Sequence, residues 1–291
     1  MGSSVPESLK STGNDAQVEY WNDKAGETWA RFQEQLDRQI QPLGQAAIRA
    51  LAPVSGERIL DIGCGCGQTS LELGAAVGAG GYVLGADISR PMLEVAVARV
   101  RASKVTNVEC RELDAQSDDL TAAGGGRFDA AFSRFGVMFF SDPTAAFKNI
   151  RQALKPSGRL AFVCWRPLRE NDWMRKPLEA ALPILPPLPP SDPTAPGPFA
   201  LADAQRTSAL LAAAGFTKIH AQPFDALIGS GDLEQTLQLT FRVGPLGAAL
   251  REHPQYKDQL AQAVRVVLEP HVTPQGVLMP AAVWIVTAQR L

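Results

Sequence analysis

The sequence predicts a doubly wound α/β fold built on a mostly parallel sheet of seven strands, with an N-terminal lid helix and a helical cap. Three observations carry that expectation. Short apolar runs of strand length alternate with helical stretches between residues 58 and 165. Such alternation makes βαβ units, whose right-handed crossovers put helices on both faces of the sheet. Directly after the first run stands the glycine-rich segment Gly63-Cys64-Gly65-Cys66-Gly67. An open parallel sheet takes its ligands at the carboxyl ends of its strands, so a backbone stripped of side chains at that point reads as a ligand loop.

Taken in order, residues 18–52 read as helical, with apolar residues at three-to-four spacing and a break at Pro42. Residues 58–62 read as the first strand and 69–77 as a helix. Residues 82–87 form the second strand. A helix over 91–104 opens at Ser89-Arg90-Pro91, proline being suited to a first turn. Strands follow at 108–112 and 128–133. A helix over 143–154 ends at Lys155-Pro156-Ser157-Gly158 and leads to a strand at 159–165. The alternation then loosens. Residues 182–198 hold eight prolines and read as a stiff loop on an insertion. A helix over 207–215, capped by Gly215, precedes a strand at 216–227; helices over 232–243 and 255–268 and a final strand at 283–287 complete the chain. The expected organisation is a leader over 1–17, then one domain over 18–291. Within it 18–52 is a lid, 55–165 the ligand-binding core, 166–215 and 230–275 cap insertions, and 216–229 and 280–291 the last strands.

Composition narrows the function. Of 291 residues 45% are hydrophobic, enough for a real core, and the net charge of −2 gives no basic surface for nucleic acid. No apolar run is long enough to span a bilayer, and residues 1–17 lack the apolar stretch of a signal peptide. That leader is expected to be disordered. Cys64, Cys66, Cys110 and Cys164 show no disulfide-scaffold pattern, so a reducing cytoplasm is the expected compartment. A monomer or homodimer is expected.

The glycine loop fails two familiar tests. A dinucleotide fingerprint needs a third glycine where Gln68 or Ser70 stands, and no Gly-Lys-Ser/Thr follows for a phosphate loop. An acid, Asp61, opens the loop instead, which suits a cationic group better than a pyrophosphate. A second acid, Asp87, ends the second strand where such folds hold ribose hydroxyls. A third, Asp114, follows the third strand in "CRELDAQ", where an acid can accept from an adenine amine; Glu112 and Asp118 are its rivals. The set describes a cofactor with a ribose, an adenine and a positive end, and no phosphate.

On "LDIGCGCG", "GADIS", "ELDAQ", "FDAAFSRFGVMFFSDP" and "ALKPSGRLAFVCW", the chain resembles the class I S-adenosylmethionine-dependent methyltransferases, which have a Rossmann-like sheet. Within them it is most similar to the small-molecule group related to ubiquinone and menaquinone biosynthesis. The likeness covers residues 18–165. The Trp165-Arg166-Pro167 end and the insertion depart from that group, so its quinone acceptor does not carry over.

The resemblance implies S-adenosylmethionine as cofactor and S-adenosylhomocysteine as product. It implies backbone contacts from Gly63, Cys64 and Gly65, and Asp61 reaching the amino group directly or through water. Gln68 and Thr69 after the loop, Ile88 after Asp87, Met92 against the adenine, and Ala115 beside Asp114 complete that side. Ser133 and Arg134 are expected to face the reacting methyl, with Tyr20 and Trp29 covering the cofactor from the N-terminal helix. Aromatic faces suit a sulfonium as they suit other cations. Tyr20, Phe135, Met138, Phe139 and Trp165 are expected around a small, apolar or aromatic acceptor. No catalytic residue is assigned, because in-line transfer of an activated methyl chiefly needs alignment. Cys64 and Cys66 lack zinc spacing, so no metal is expected. His220, His253 and His271 fall outside the strand ends. The rival functions are a non-catalytic binder of the same cofactor or its product and a nicotinamide oxidoreductase, which the failed fingerprint disfavours.

Overall fold

The computed structural model describes residues 14–187 and 192–291. Three helices open it: α1 (Asp15–Asn22), α2 (Lys24–Arg31) and α3 (Gln33–Leu51). The alternating core follows as β1 (Arg58–Ile62), α4 (Gln68–Val77), β2 (Tyr82–Asp87), α5 (Arg90–Ser103), β3 (Val108–Glu112), α6 (Leu120–Ala123), β4 (Phe128–Arg134), α7 (Pro143–Ala153) and β5 (Leu154–Trp165). The remainder is α8 (Asp172–Ala181), α9 (Ala204–Ala213), β6 (Phe216–Ile228), α10 (Leu233–Thr240), α11 (Gly244–Glu252), α12 (Lys257–Leu268) and β7 (Met279–Arg290), with a two-residue-per-strand hairpin over 272–277.

The seven long strands form one sheet in the order β3-β2-β1-β4-β5-β7-β6. β1 to β5 pair in parallel, while β7 runs antiparallel to both β5 and β6. The order reverses between β1 and β4, and the crevice at that reversal is where an open α/β sheet binds ligands. Phe128, Phe132, Phe147 and Phe162 are fully buried at the sheet, and Leu43 and Leu51 of α3 join them. A second apolar cluster, including Leu237, Phe241, Leu246, Leu260 and Val264, holds α10, α11 and α12 together as a cap.

The first turns of the chain are tied to the core by polar contacts. Asn22 Nδ2 donates to the Ile88 carbonyl at 2.8 Å, and its Oδ1 accepts from Arg90 N–H at 2.9 Å. Ser89 Oγ donates to the Trp21 carbonyl at 2.7 Å. α2 approaches so closely that a Cβ on Gly26 would lie 2.0 Å from that carbonyl oxygen. Only glycine fits there, so Gly26 sets how closely the lid lies on the β2–α5 corner.

Several expectations need correction. Of the expected disordered leader, residues 1–13 lie outside the described residues, but Asn14 is buried and α1 starts at Asp15. The expected single helical stretch is broken at Asp23 and Phe32, not at Pro42, which sits inside α3. Pro42 and Arg38, whose carbonyl it leaves without an intrahelical donor, are both exposed, so water can serve that carbonyl. The turn at residues 155–158 does stop a helix, at Ala153, yet it lies within β5. Phe128 pairs with Leu154 and Ala130 with Arg159, so the extra residues bulge out around Ser157 at φ +62°. The expected cap insertion over 166–215 is split: α8 joins the cap, but α9 packs on α7 and β6 as part of the main layer. α11 lies where the sequence reading places no helix. Gly244 and Gly247 lower its propensity, while Pro245 suits its first turn.

Candidate functional site

The three glycines of the loop all have positive φ, at +63°, +53° and +80° for Gly63, Gly65 and Gly67. Gly63 also meets Gly136 face to face: a Cβ on Gly63 would lie 2.7 Å from the Gly136 Cα. The loop after β1 and the turn after β4 are therefore in backbone contact, and neither position accepts a side chain.

Above this contact opens a cavity of about 1300 Å³, counting its open mouth. Gly63, Cys64, Gly65, Asp87, Ile88, Met92, Asp114 and Ala115 line it from the β1–β3 side. Arg134, Phe135, Met138, Phe139 and Trp165 line it from β4 and β5, and Trp29 from the lid. The expected residues of both halves thus meet in one space.

Asp87 holds the loop in place. Its Oδ2 accepts from Gly65 N–H at 2.7 Å and its Oδ1 from Ser89 N–H at 2.8 Å. Burial pushes its carboxyl above the usual range, and the backbone donors pull it back. Asp114 accepts from Asn14 Nδ2 at 3.1 Å and from Gln116 N–H at 2.9 Å. Of its rivals, Glu112 is exposed and paired with Arg90, and Asp118 accepts from the Asp114 N–H.

Five expected residues stand off the cavity wall. Tyr20 is exposed, with its hydroxyl 3.3 Å from Arg251 Nη2, and Trp21 takes the inner position. Trp21 packs edge-on against Phe139 and Trp29, at 4.9 and 6.2 Å. Ser133 is fully buried, and its Oγ accepts from Gly136 N–H at 3.2 Å. Gln68 accepts from Arg134, and Thr69 Oγ1 donates to Asp61 Oδ2 at 2.7 Å. Asp61 lies behind the loop, where Ser70 Oγ also donates to its Oδ2, at 2.6 Å. Its Oδ1 is buried with no partner among the described residues. The Asp61 carboxylate thus places a negative charge directly behind the loop.

Burial raises the Asp61 carboxyl from 3.8 to about 6, against the pull of its two hydroxyl donors. Because the folded-state value is the higher one, the stability it confers is complete below about pH 4 and lost as pH rises through about 6. Asp61→Asn keeps an acceptor for both hydroxyls and removes the titration. The variant should gain on the wild type by up to about 3 kcal/mol between pH 4 and pH 7.5 in urea unfolding. A difference between the two proteins that stays constant with pH would refute this reading of Asp61.

Sequence reasoning missed three parts of the wall. Asp37 of α3 is an acid in a helix with no nearby motif, yet its Oδ1 takes Arg134 Nη2 at 2.9 Å and its Oδ2 takes Arg99 Nη1 at 2.8 Å. Gln33 and Gln39 lie on the same helix, and Trp173 and Met174 come from α8. Phe135, at φ +63°, stacks on Trp165 at 4.2 Å, and Trp165 meets Trp173 at 5.1 Å. Left-handed backbone in a bulky residue is strained, and such strain gathers at functional sites. Cys64 hydrogen-bonds with Cys110, which raises its thiol well above the ordinary range, and burial carries Cys66 up to about 12. Among the described residues no cluster of His, Cys, Asp or Glu is arranged to hold a metal.

Part of the chain and its fold are similar to known proteins. Residues 59–158 match the family described as "Methyltransferase domain". Aklanonic acid methyltransferase of a Streptomyces species is 32% identical over 122 residues, which are 42% of this chain and 54% of that protein. Demethylmenaquinone methyltransferase of Clavibacter sepedonicus is 37% identical over 120 residues, 41% of this chain and 45% of that one. The chain spans about half the length of the curated relatives it matches. Among solved structures, the YcgJ protein of Bacillus subtilis aligns over 86% of this chain and 99% of its own with a TM-score of 0.55, at 18% identity. Phosphoethanolamine N-methyltransferase 2 of Haemonchus contortus aligns over 98% of this chain and 61% of its own with a TM-score of 0.57, at 17% identity. Both share the fold.

Proposed function

We propose that this chain, which carries a class I methyltransferase domain, is an S-adenosylmethionine-dependent enzyme acting on a small apolar or aromatic acceptor. One observation carries the proposal: the glycine loop, Asp87 and Asp114 open into the same cavity as the aromatic wall at the ends of β4 and β5. The names of the relatives, an aklanonic acid and a demethylmenaquinone methyltransferase, support an acceptor of this kind.

The residues divide the work. Asp87 accepts ribose hydroxyls, Asp114 the adenine amine, and Met92 lies under the ring. Asp61, behind the loop, acts on the amino group from a distance through its charge and holds Thr69 and Ser70. When bound, the cofactor supplies a methyl on a sulfonium, already activated for in-line displacement. The protein then has to align the acceptor and keep water out. Trp21, Trp29 and Phe139 close the space from the lid side, and Phe135 with Trp165 forms the surface against which the acceptor lies. Among the described residues lining the cavity there is no His, Lys or Tyr.

Calorimetry with S-adenosylhomocysteine and with NAD tests the cofactor, and release of S-adenosylhomocysteine with a panel of aromatic alcohols tests the transfer. Tight binding of the first ligand, none of NAD, and acceptor-dependent turnover are expected. Binding of NAD alone would overturn the proposal, and binding without turnover on any acceptor would reduce the protein to a binder.

A further inference from the structure

Helix α1 reaches across the cavity with little apolar hold. None of its residues is buried, and Trp21 is the aromatic it turns inward. Its two ends are pinned by asparagine side chains. At one end Asn22 joins the Ile88 carbonyl to the Arg90 N–H, at the corner just past Asp87. At the other end stands Asn14, which is 5% exposed and part of the cavity wall. Its Oδ1 accepts from Ser141 Oγ at 3.0 Å and from Ser141 N–H at 3.3 Å, and its Nδ2 donates to Asp114 Oδ1 at 3.1 Å. A backbone N–H can only donate and a carboxylate can only accept, so the amide has one orientation and its NH2 must face Asp114.

These pins grip the two places assigned above to the nucleoside: the end of β2 with Asp87, and Asp114 after β3. α1, eight residues and about 12 Å long, therefore lies over the nucleoside end. The acceptor count on Asp114 decides what Asn14 can do there. Three donors among the described residues reach the carboxylate: Asn14 Nδ2 and Gln116 N–H on Oδ1, and Ser117 Oγ on Oδ2. A carboxylate has about four acceptor positions, so one remains, on Oδ2. An adenine amine can take it without displacing Asn14. The Asn14 bond then contributes equally to the free and the loaded protein and drops out of the affinity. It must break whenever α1 lifts to let the cofactor pass, so it enters the rates of both entry and exit. The chain between α1 and α2 is extended at Asp23, next to the Asn22 pin, so Asn14 is the end that lets go.

We propose that Asn14 is a gating residue for the cofactor: by joining Asp114 to Ser141 it holds α1 shut over the nucleoside, and the breaking of this bridge limits cofactor exchange. This rests on the methyltransferase reading above and adds to it the control of entry and exit.

The test is stopped-flow on the full chain with S-adenosylhomocysteine, read by tryptophan fluorescence because Trp21 and Trp29 line the cavity, with calorimetry for Kd. Asn14→Ala should speed association and release alike, each by about ten-fold, and change Kd by less than about three-fold. Asn14→Asp keeps the Ser141 bonds but sets two carboxylates face to face, so it should open the gate at least as much. Ser141→Ala removes the hydroxyl arm and keeps the backbone donor, so it should speed both rates by a smaller factor. A merely structural role for Asn14 would lower the unfolding temperature without moving the two rates in parallel. Unchanged rates in Asn14→Ala would overturn the inference. Faster release with unchanged association would do so too, since it marks a simple binding contact. Tighter binding would also overturn it, since it marks an amide that competes with adenine. Failure of S-adenosylhomocysteine to bind the wild type would instead refute the cofactor assignment.

Discussion

Replacing Asp87 by Ala is expected to weaken S-adenosylhomocysteine binding by roughly 2–4 kcal/mol, a factor of about 30 to 1,000. Two effects add. In the proposed reading the carboxylate accepts the ribose hydroxyls, so its loss removes charge-assisted hydrogen bonds and leaves hydroxyls unpaired. It also accepts from Gly65 N–H at 2.7 Å and thereby fixes the loop whose backbone faces the ligand. Asp87→Asn retains one acceptor oxygen and should fall between wild type and Ala. Burial raises this carboxyl, so affinity should also fall on the acid side as the group takes up its proton. Calorimetry on the three proteins at neutral pH measures the effect, with thermal unfolding alongside. Wild-type affinity in Asp87→Ala would remove the ribose assignment and with it the main support for the cofactor.

The cofactor half was legible in the sequence because its signals are local. Strands β1, β2 and β3 have the bounds read from the sequence; β1 and β2 are short buried runs punctuated by glycine or an acid, while β3 is buried only at Val108. Asp87 ends β2 and Asp114 stands two residues past β3, so finding the strand found the acid. The acceptor half lacks such signals. Asp37 gains its meaning from Arg134, 97 residues away, and nothing in the local helix pattern marks it. Tyr20 and Trp21 are neighbours of equal aromatic character. Which one faces inward depends on a helix rotation of about 100° per residue, which the docking of α1 through Asn22 decides. Pro42 and the turn at 155–158 misled for a related reason: each is a breaker whose effect depended on whether its unpaired backbone groups met solvent or a bulge.

Replacing Asp37 by Ala should cost the protein about 3 kcal/mol of stability, the lower end for breaking a buried ion pair from one side. Among the described residues Asp37 is the only carboxylate shared by Arg134 and Arg99, and the side chains of Arg134 and Asp37 are 10% and 13% exposed. Without it Arg134 keeps the Gln68 oxygen and only the more distant Asp61 charge, and Arg99 keeps the Cys66 carbonyl. Arg99 is 29% exposed, so water and salt relieve that arm; Arg134 has no such relief. It cannot swing away freely, because α3 packs against it so closely that a Cβ on Gly44 would lie 2.8 Å from its Cδ. Urea unfolding should therefore show a shifted midpoint for Asp37→Ala, only weakly restored by high salt. Asp37→Asn, which keeps the shape and loses the charge, should lose nearly as much. Pairing Asp37→Leu with Arg134→Met replaces the buried pair by apolar groups and should recover most of the loss. If Asp37→Ala changed stability by less than about 1 kcal/mol, Arg134 would have to be solvated in the cavity, and the claim that its charge is committed would fall.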